Sequence, residues 1–429
     1  MDSTRQRIAA QVLRRYQSGQ MSRREALRLL SALSLTTAGV GAIGLAAMTT
    51  RSTSAGSVAQ VGVHAGHGSQ YAALLRQDAG TPAAVATPTL GEQADGTHVW
   101  RVRVAGMDEE NLIDTQAFFP KEITINVGDA IYFEFPTPPG FHTVTFPSGE
   151  DVPPLIVPDE ATGTPPASPS PGAPKLIVNP EAALPSGQDT YDGTGFVNSG
   201  LDIFRLPSDP PFILTFTAPG TFEYQCIPHG AVMKATVVVQ EAGSALPEDQ
   251  AAIDARAEEE RAALIEEGMA EIAEYAKATA TARDDGSTLW EIAAGAGEGQ
   301  ARVYRFLPDT LEIKTGDTVR WVDQSKTEPH TVTFLGTGVE QPEDAIEPQP
   351  SGPPKIVLSP LLLFPQGGEV YSGEGLFNSG YTGELSGEPL PGGPAYELTF
   401  DTAGEFPYYC ALHGSGPEGP GMTGTITVT

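Results

Sequence analysis

The residues best suited to chemistry in this chain form two similar sets, each with one cysteine, two histidines and one methionine. The two cysteines lie in "YQCIPHGAVM" and "YYCALHGSGPEGPGM", where a histidine follows three residues later and a methionine follows the histidine. The other histidine of each set opens the pentapeptide "HTVTF", which occurs twice. The first set is His142, Cys226, His229 and Met233, and the second set is His330, Cys410, His413 and Met422. Sulfur and imidazole groups of this kind are ligands for transition metals.

This combination of ligands favours copper over other metals. Two imidazoles and one thiolate in a trigonal set, with a weak axial thioether, are the composition of a type 1 copper site. Thiolate and thioether favour Cu(I), whereas imidazole suits both oxidation states, so the metal can change charge with little rearrangement. Such a site suits rapid one-electron transfer. The two sets predict two copper ions per chain.

Three other interpretations of the same residues remain open from the sequence. A histidine on the inward face of a strand that also carries Val and Phe can be a hydrogen-bonded core residue. If the protein works outside the cytoplasm, its two cysteines can form a disulfide, here Cys226–Cys410. That bond would leave the shared His and Met positions unexplained. Zinc would use the histidines and cysteines but has little use for the methionines.

The segments that carry these residues have the pattern of a β protein. The chain of 429 residues contains 48 Gly and 38 Pro, and its β-branched and aromatic residues cluster in short runs, as expected for strands joined by turns. "PKLIVNP" matches "PKIVLSP" 180 positions later, "YDGTGFVNSG" matches "YSGEGLFNSG" at the same offset, and the "HTVTF" copies are 188 apart. We therefore predict two copies of one β-domain, at residues 96–241 and 286–429.

Other segments interrupt or join the predicted repeats. Long excursions at 148–212 and 336–394 separate each pentapeptide from its cysteine, and they could cover the metal sites or the seam between the domains. Residues 242–285 are predicted to form a helical linker with Pro247 in its first turn. A narrow apolar stripe would lay this helix against a domain; it consists of Ile253, Ala257, Leu264, Gly268 and Ile272.

The N-terminal region resembles an export signal. "SRREALR" precedes a weakly apolar stretch rich in Gly, Ala and Thr, which resembles a twin-arginine signal. We predict that residues 1–59 are an export signal or an uncleaved anchor helix, followed by a flexible tether at 60–95. The protein would then work in the periplasm or at the cell surface. His64, His67 and His98 lie in or near the tether and are assigned no ligand role.

The charge of the chain indicates which kinds of partner it can bind. The formal net charge is −29, although the first 51 residues carry eight Arg against one Asp and one Glu. The remaining chain is therefore still more acidic, which disfavours binding to nucleic acid or to anionic lipid. An acidic surface would attract a basic redox partner such as a cytochrome, and salt would weaken the attraction.

With these motifs together, each predicted domain resembles a cupredoxin, the blue copper fold of plastocyanin, pseudoazurin and halocyanin. The resemblance implies an all-β fold, with two Greek-key β-sandwiches that each hold copper at one end through the four residues of a set. It implies that His229 and His413 reach the surface through an apolar patch and act as electron ports. It also implies that Thr143 and Thr331 sit where a hydrogen bond forms near the thiolate.

These observations favour an electron carrier over an enzyme. Two-domain cupredoxins can be nitrite reductases or multicopper oxidases, which need additional copper bound by His-x-His or His-Cys-His clusters, and neither pattern occurs in the sequence. Catalysis at copper also needs an open coordination position, which these ligand sets lack. The leading hypothesis is an exported two-copper electron-transfer protein, and the alternatives are a copper-dependent oxidoreductase and a copper-binding or delivery protein.

Overall fold

The computed structural model describes most of the chain after its N-terminal region; the described residues are 87–136, 140–159, 175–205, 209–325, 328–347, 355–385 and 388–429. The predicted signal or anchor at 1–59 and most of the predicted tether at 60–95 lie outside these residues. Within the described ranges, no helix is long and apolar enough to cross a membrane.

The regular secondary structure in the first half of the described chain consists mainly of short strands. In chain order they are β1 Gly91–Glu92, β2 His98–Val104, β3 Met107–Asp108, β4 Ile113–Thr115, β5 Phe118–Phe119, β6 Glu122–Asn126, β7 Ala130–Glu134, β8 Thr145–Phe146, β9 Ile156–Pro158, β10 Leu176–Val178, β11 Thr190–Tyr191, β12 Val197–Asn198, β13 Phe212–Phe216, β14 Gly220–Cys226 and β15 Gly230–Gln240. The end of the predicted tether is structured, because β1 pairs with β2.

Most of these strands form a β-sandwich, which we call the first sandwich. One sheet has the order β1–β2–β7–β13–β11, with β5 also paired to β2, and the other has the order β12–β8–β14–β15–β6. Alternate residues of β2, namely Trp100, Val102 and Val104, are buried, as expected for a strand with one face on a core. They pack with Phe146 and Tyr224 from the opposite sheet.

The second half of the described chain has a similar arrangement. Its strands are β16 Thr279–Ala282, β17 Thr288–Ala296, β18 Ala301–Leu307, β19 Thr310–Ile313, β20 Thr318–Gln324, β21 Thr333–Leu335, β22 Ala345–Glu347, β23 Lys355–Val357, β24 Val370–Tyr371, β25 Leu376–Asn378, β26 Glu384–Leu385, β27 Glu388–Pro389, β28 Ala395–Phe400, β29 Gly404–Gly414 and β30 Gly421–Val428.

These strands form the second sandwich. One sheet has the order β24–β28–β20–β17–β18, with β16 also paired to β17, and the other has the order β19–β30–β29–β21–β25. Trp321, Phe334 and Tyr408 pack in the core between the sheets. The predicted all-β, β-sandwich fold class is therefore confirmed.

Strands from the two halves pair directly at the seam between the sandwiches. β4 of the first half adds to the edge of the second sandwich beside β18, with Asp114 opposite Arg302. The two long excursions also pair, because β10 lies antiparallel to β23 with Ile177 opposite Val357. The result is a four-stranded sheet of order β22–β23–β10–β9 that joins the halves.

Reciprocal ion pairs fasten this four-stranded sheet. Lys175 of the first excursion contacts Glu347 of the second, and Lys355 of the second contacts Asp159 of the first. The excursions also pack against the segment that follows the first cysteine, since Ile227 belongs to their apolar cluster. The excursions therefore cover both the seam and the vicinity of the cysteine, two positions that the sequence left as alternatives.

A long helix packs across the seam. The helices are α1 Pro180–Ala183, α2 Gln250–Glu274 and α3 Pro360–Leu363, with a 3₁₀ turn at Asp202–Phe204. The side chain of Asp249 caps the start of α2 by accepting a hydrogen bond from the amide of Ala252. Pro247 precedes this cap, so the prediction that it lies in the first helical turn is wrong.

The predicted apolar stripe of α2 faces the two halves together. Ile253, Ala257, Leu264 and Gly268 are buried, and Ile272 is partly buried in the cluster. That cluster also contains Ile113 and Phe119 of the first half, together with Ala293, Val303 and Leu307 of the second. The helix is therefore more than a linker, because it contributes to the core of the seam.

We expect Gly268→Ala to lower the free energy of unfolding by about 1–3 kcal/mol, because the new Cβ would lie 2.6 Å from Cγ2 of Ile113. Urea unfolding followed by tryptophan fluorescence measures the change. As a control, Ile113→Ala removes the clashing atoms, so Gly268→Ala should cost much less in that background. An equal cost in both backgrounds would contradict the predicted contact.

Candidate metal centres

The first set of predicted ligands meets inside the first sandwich. The ligand atoms of His142, Cys226 and His229 all lie within 4.8 Å of one another. Nδ1 of His229 lies 3.3 Å from Nδ1 of His142 and 3.2 Å from Sγ of Cys226. Three atoms that can each donate a lone pair to a metal thus face one another.

The second set meets in the same way inside the second sandwich. His330, Cys410 and His413 also have their ligand atoms within 4.8 Å of one another. The two Nδ1 atoms are 3.1 Å apart, and Sγ of Cys410 lies 3.5 Å from Nδ1 of His413 and 4.0 Å from Nδ1 of His330. These two groups are the candidate metal centres among the described residues.

Strand pairing brings residues that are distant in sequence to one place. In the first sandwich β8 pairs with β14, with Thr145 opposite Gln225, so the segment that carries His142 runs beside the end of β14. In the second sandwich Thr333 lies opposite Tyr409 on the neighbouring strand β29. The strand pairs β14–β15 and β29–β30 both lose their regular register near the cysteine, which gives the loop room to return its histidine to the site.

The two methionines occupy the strand that follows each cysteine. Met233 lies on β15 and Met422 lies on β30, and both side chains are fully buried. Met233 belongs to the same core cluster as Cys226, and Met422 belongs to the same core cluster as Cys410. Their role as axial ligands remains a prediction.

The threonine after the first histidine of each site stabilises the cysteine. The backbone amide of Thr143 donates a hydrogen bond to Sγ of Cys226 at 3.4 Å, and the amide of Thr331 donates to Sγ of Cys410 at 3.3 Å. The hydroxyl of Thr143 accepts from the amide of Ile227 at 2.8 Å. These contacts fasten the two ligand-bearing segments together, in the region where the family resemblance implies a hydrogen bond.

Sequence reasoning gave no role to the "NSG" motif, although the motif recurs in both copies. The hydroxyl of Ser199 accepts a hydrogen bond from the amide of Val144 at 2.8 Å. Oδ1 of Asn198 accepts from the hydroxyl of Thr145 at 3.0 Å. Ser379 and Asn378 make the corresponding contacts in the second sandwich. The recurrence itself was the signal that these residues support the sites.

The histidines predicted to be surface ports are instead buried at the seam. The side chains of His229 and His413 are only 6% and 10% exposed, so the prediction that they reach the surface is wrong. Both face the carboxylate of Glu328: Nε2 of His413 lies 3.1 Å from one oxygen, and Nε2 of His229 lies 3.6 Å from the other. A redox partner would approach a lone sandwich at the face that carries this histidine. In this chain the other half covers that face.

Polar groups surround this carboxylate, and none of them was singled out from the sequence. The side-chain amide of Gln116 donates a hydrogen bond to Glu328 at 2.7 Å. Arg302 is fully buried and donates to the side-chain oxygen of Gln116 at 3.3 Å. Tyr304 stacks on the ring of His413 at 4.0 Å and donates a hydrogen bond to Asp114 at 3.0 Å. These residues come from both halves, so only the assembled seam creates the cluster.

The two carboxylates of the cluster differ in acidity. Burial raises the pKa of Asp114 to about 7, and the charge of Glu328 adds to this effect. Burial would also raise the pKa of Glu328, but the hydrogen bond from His413 and the charges of His413 and His229 bring it well below its usual value. Glu328 is therefore the more acidic carboxylate of the seam.

Both cysteines are free thiols in separate sandwich cores. The alternative of a Cys226–Cys410 disulfide is therefore wrong. Each thiol instead lies beside its own pair of histidines.

Comparison with known proteins points to the same family as the motifs. No protein-family model matches the chain. A plastocyanin from Scenedesmus fuscus is 32% identical over 123 residues, which are 29% of this chain and 85% of the plastocyanin. The chain belongs to the cupredoxin family. Similar solved structures include an amicyanin from Paracoccus versutus (22% identity, 35% of this chain, 92% of that chain, TM-score 0.17) and a purple cupredoxin from Nitrosopumilus maritimus (20% identity, 32% of this chain, 98% of that chain, TM-score 0.18).

The donor atoms of this cupredoxin fit a copper ion. Burial raises the pKa of Cys226 to about 12, so its thiolate needs a cation nearby. In the second site, Nε2 of His413 donates to the carboxylate of Glu328, and Nδ1 of the same ring faces Cys410. Nitrogen and sulfur donors that converge in a dry interior match the preferences of copper.

We expect Thr143→Val to lower the free energy of unfolding by about 1–3 kcal/mol, because the buried amide of Ile227 would lose its hydrogen-bond acceptor in a side chain of similar shape. Urea unfolding measures the change. Thr194→Val is the matched control, since the hydroxyl of Thr194 donates to the exposed side chain of Asp192. An effect no larger than that of the control would contradict a supporting role for Thr143.

Proposed function

We propose that the protein is an exported electron carrier with one type 1 copper site in each sandwich. The observation that carries the proposal is the convergence of one buried thiol and two imidazole Nδ1 atoms at two separate places. His142, Cys226 and His229 would bind one copper with Met233 as the axial ligand. His330, Cys410 and His413 would bind the other with Met422 as the axial ligand.

Each part of the chain contributes to this function in its own way. A bound copper supplies a centre that gains or loses one electron. The amides of Thr143 and Thr331 stabilise the thiolates by donating hydrogen bonds to sulfur. The strand ladders hold the ligands in nearly fixed positions, so little rearrangement accompanies a change of charge. The buried side chains around each site exclude water, which would otherwise add ligands.

The alternatives are less well supported. An oxidase or reductase would need a further metal centre with an open position, and the described residues contain no third group of His, Cys, Asp or Glu that could hold a metal. A copper-delivery protein would need to release its metal readily, but Cys226, Cys410 and both proposed axial methionines are fully buried. An electron carrier needs neither an open position nor metal release.

We expect the purified full chain to bind two coppers and to show an intense sulfur-to-copper absorption that ascorbate bleaches. Cys226→Ser and Cys410→Ser should each lower the copper content to one per chain and remove one part of the absorption, because each thiolate serves one site. His98→Ala is the control and should keep both coppers, since His98 has no proposed ligand role. A chain that stays colourless with copper, or full absorbance in either Ser variant, would overturn the proposal.

Export and partner choice follow from the leader and from the charge. We propose that residues 1–59 direct the protein out of the cytoplasm; its recovery in the cytoplasmic fraction of cells would contradict this. The net charge of −29 suggests a basic protein such as a cytochrome as the redox partner. The rate constant for electron transfer to that partner should fall as ionic strength rises, because salt screens the attraction. A rate that does not change with salt would contradict a charge-guided encounter.

A further inference from the structure

The two candidate metal centres share one carboxylate. Glu328 places one oxygen 3.1 Å from Nε2 of His413 and the other oxygen 3.6 Å from Nε2 of His229. Each of these imidazoles offers its other nitrogen, Nδ1, to its own metal centre. A continuous chain of atoms therefore runs from one centre through His229, Glu328 and His413 to the other centre.

The position of this carboxylate follows from how the two halves pack. Asp114 pairs with Arg302 across the seam, and Ile177 pairs with Val357. In each pair, the two residues are equivalent in the predicted repeat, 188 and 180 positions apart. Equivalent residues that pair with each other mark a local twofold axis. Glu328 contacts one histidine from each side of this axis, and so a single carboxylate can reach both.

The carboxylate is held in place from several directions. The side-chain amide of Gln116, from the first half, donates a hydrogen bond to one carboxylate oxygen at 2.7 Å. The backbone carbonyl of Glu328 accepts a hydrogen bond from the hydroxyl of Ser325 at 2.7 Å. Glu328 is 8% exposed, and Tyr304 lies flat against the ring of His413. A fixed acceptor with little access to water does not need to reorganise when the charge nearby changes.

We propose that Glu328 is a positioning residue that orients His229 and His413 and connects the two copper centres for internal electron exchange. The inference rests on the proposed function. In the exchange, one electron leaves the reduced centre, whose copper becomes Cu(II), and enters the oxidised centre, whose copper becomes Cu(I). The protons on Nε2 stay in place. An external one-electron donor such as ascorbate supplies the first electron.

The substitution Glu328→Gln tests the connection with little change of size. A glutamine has one acceptor oxygen in place of two, and its NH₂ group can only donate. It can therefore accept a hydrogen bond at only one of the two positions that face the histidines. Glu328→Asp is a second variant, which keeps the charge but is too short to span both rings. The variant for comparison is Asp114→Asn, because Asp114 is a buried carboxylate of the same seam. It contacts His142 of the first centre at 3.9 Å but reaches the second centre only through Tyr304, which donates to it at 3.0 Å.

The first measurement tests whether Glu328 contacts both His229 and His413. The imidazole N–H proton resonances of His229 and His413 are recorded by NMR in the copper-free chain. Glu328→Gln should shift both resonances, whereas Asp114→Asn should leave that of His229 in place. A shift at His413 alone would overturn the shared contact. This measurement does not depend on copper and therefore tests the geometry separately from the proposed function.

The second measurement asks whether electrons pass between the centres. A Met233→Gln background is used throughout, so that a changed axial ligand makes the two centres differ in colour. A light flash in the presence of a photoreductant then adds less than one electron per oxidised chain, and absorbance follows the redistribution. Glu328→Gln should keep both coppers and slow the redistribution by about tenfold or more, as expected for a residue that supports metal ligands. A Cys226→Ser chain should show no redistribution.

The outcomes separate the inference from the proposed function. Two coppers with an unchanged redistribution rate in Glu328→Gln would overturn the inference and leave the electron-carrier proposal intact. An equally slow redistribution in Asp114→Asn would also overturn it. The loss of any buried carboxylate from the seam would then explain the change, without a contact between Glu328 and both histidines. If no copper binds, both proposals fail. A redistribution rate that is slowed more in both Glu328 variants than in Asp114→Asn would support the connection.

Discussion

The candidate metal centres depend on holding three lone-pair donors face to face in an interior that water does not reach. Such groups repel one another unless a cation or a proton lies between them, so the surrounding structure must fix them. The sandwich does this through the backbone: strand pairing sets the position of each segment, and the amides of Thr143 and Thr331 donate to the two sulfur atoms. Ligand positions that are set by the fold suit a metal that changes charge without moving.

The sequence predicted those parts of the structure that depend on local pattern. Alternating runs such as β2 indicated strands, and the paired motifs placed His142 near Cys226 and His330 near Cys410, as the structure does. The ligand types alone indicated a transition metal. The apolar stripe of α2 was also readable, because helical spacing shows which side of a helix is buried.

What the sequence could not predict arises from packing between the halves. Glu328 precedes a histidine by two residues, and nothing in its immediate neighbours distinguishes it from the many other acidic residues of the chain. Its contacts with His229 and Gln116 join residues that are 99 and 212 positions away in sequence. The family resemblance also misled at this point, because a surface position for His229 and His413 holds only for a sandwich without a neighbour at that face.

In a symmetric pair of identical chains, every residue that faces the symmetry axis would occur twice. The residue equivalent to Glu328 in the predicted repeat is Gly140, where a Cβ would lie 2.5 Å from Cδ2 of His142. Two glutamates there would crowd like charges in a buried space, and two glycines would leave both imidazole edges without an acceptor. Because both halves lie in one polypeptide, the two sides can differ at this position. A single glutamate can therefore serve both sites, which a homodimer could not achieve with one residue of its own.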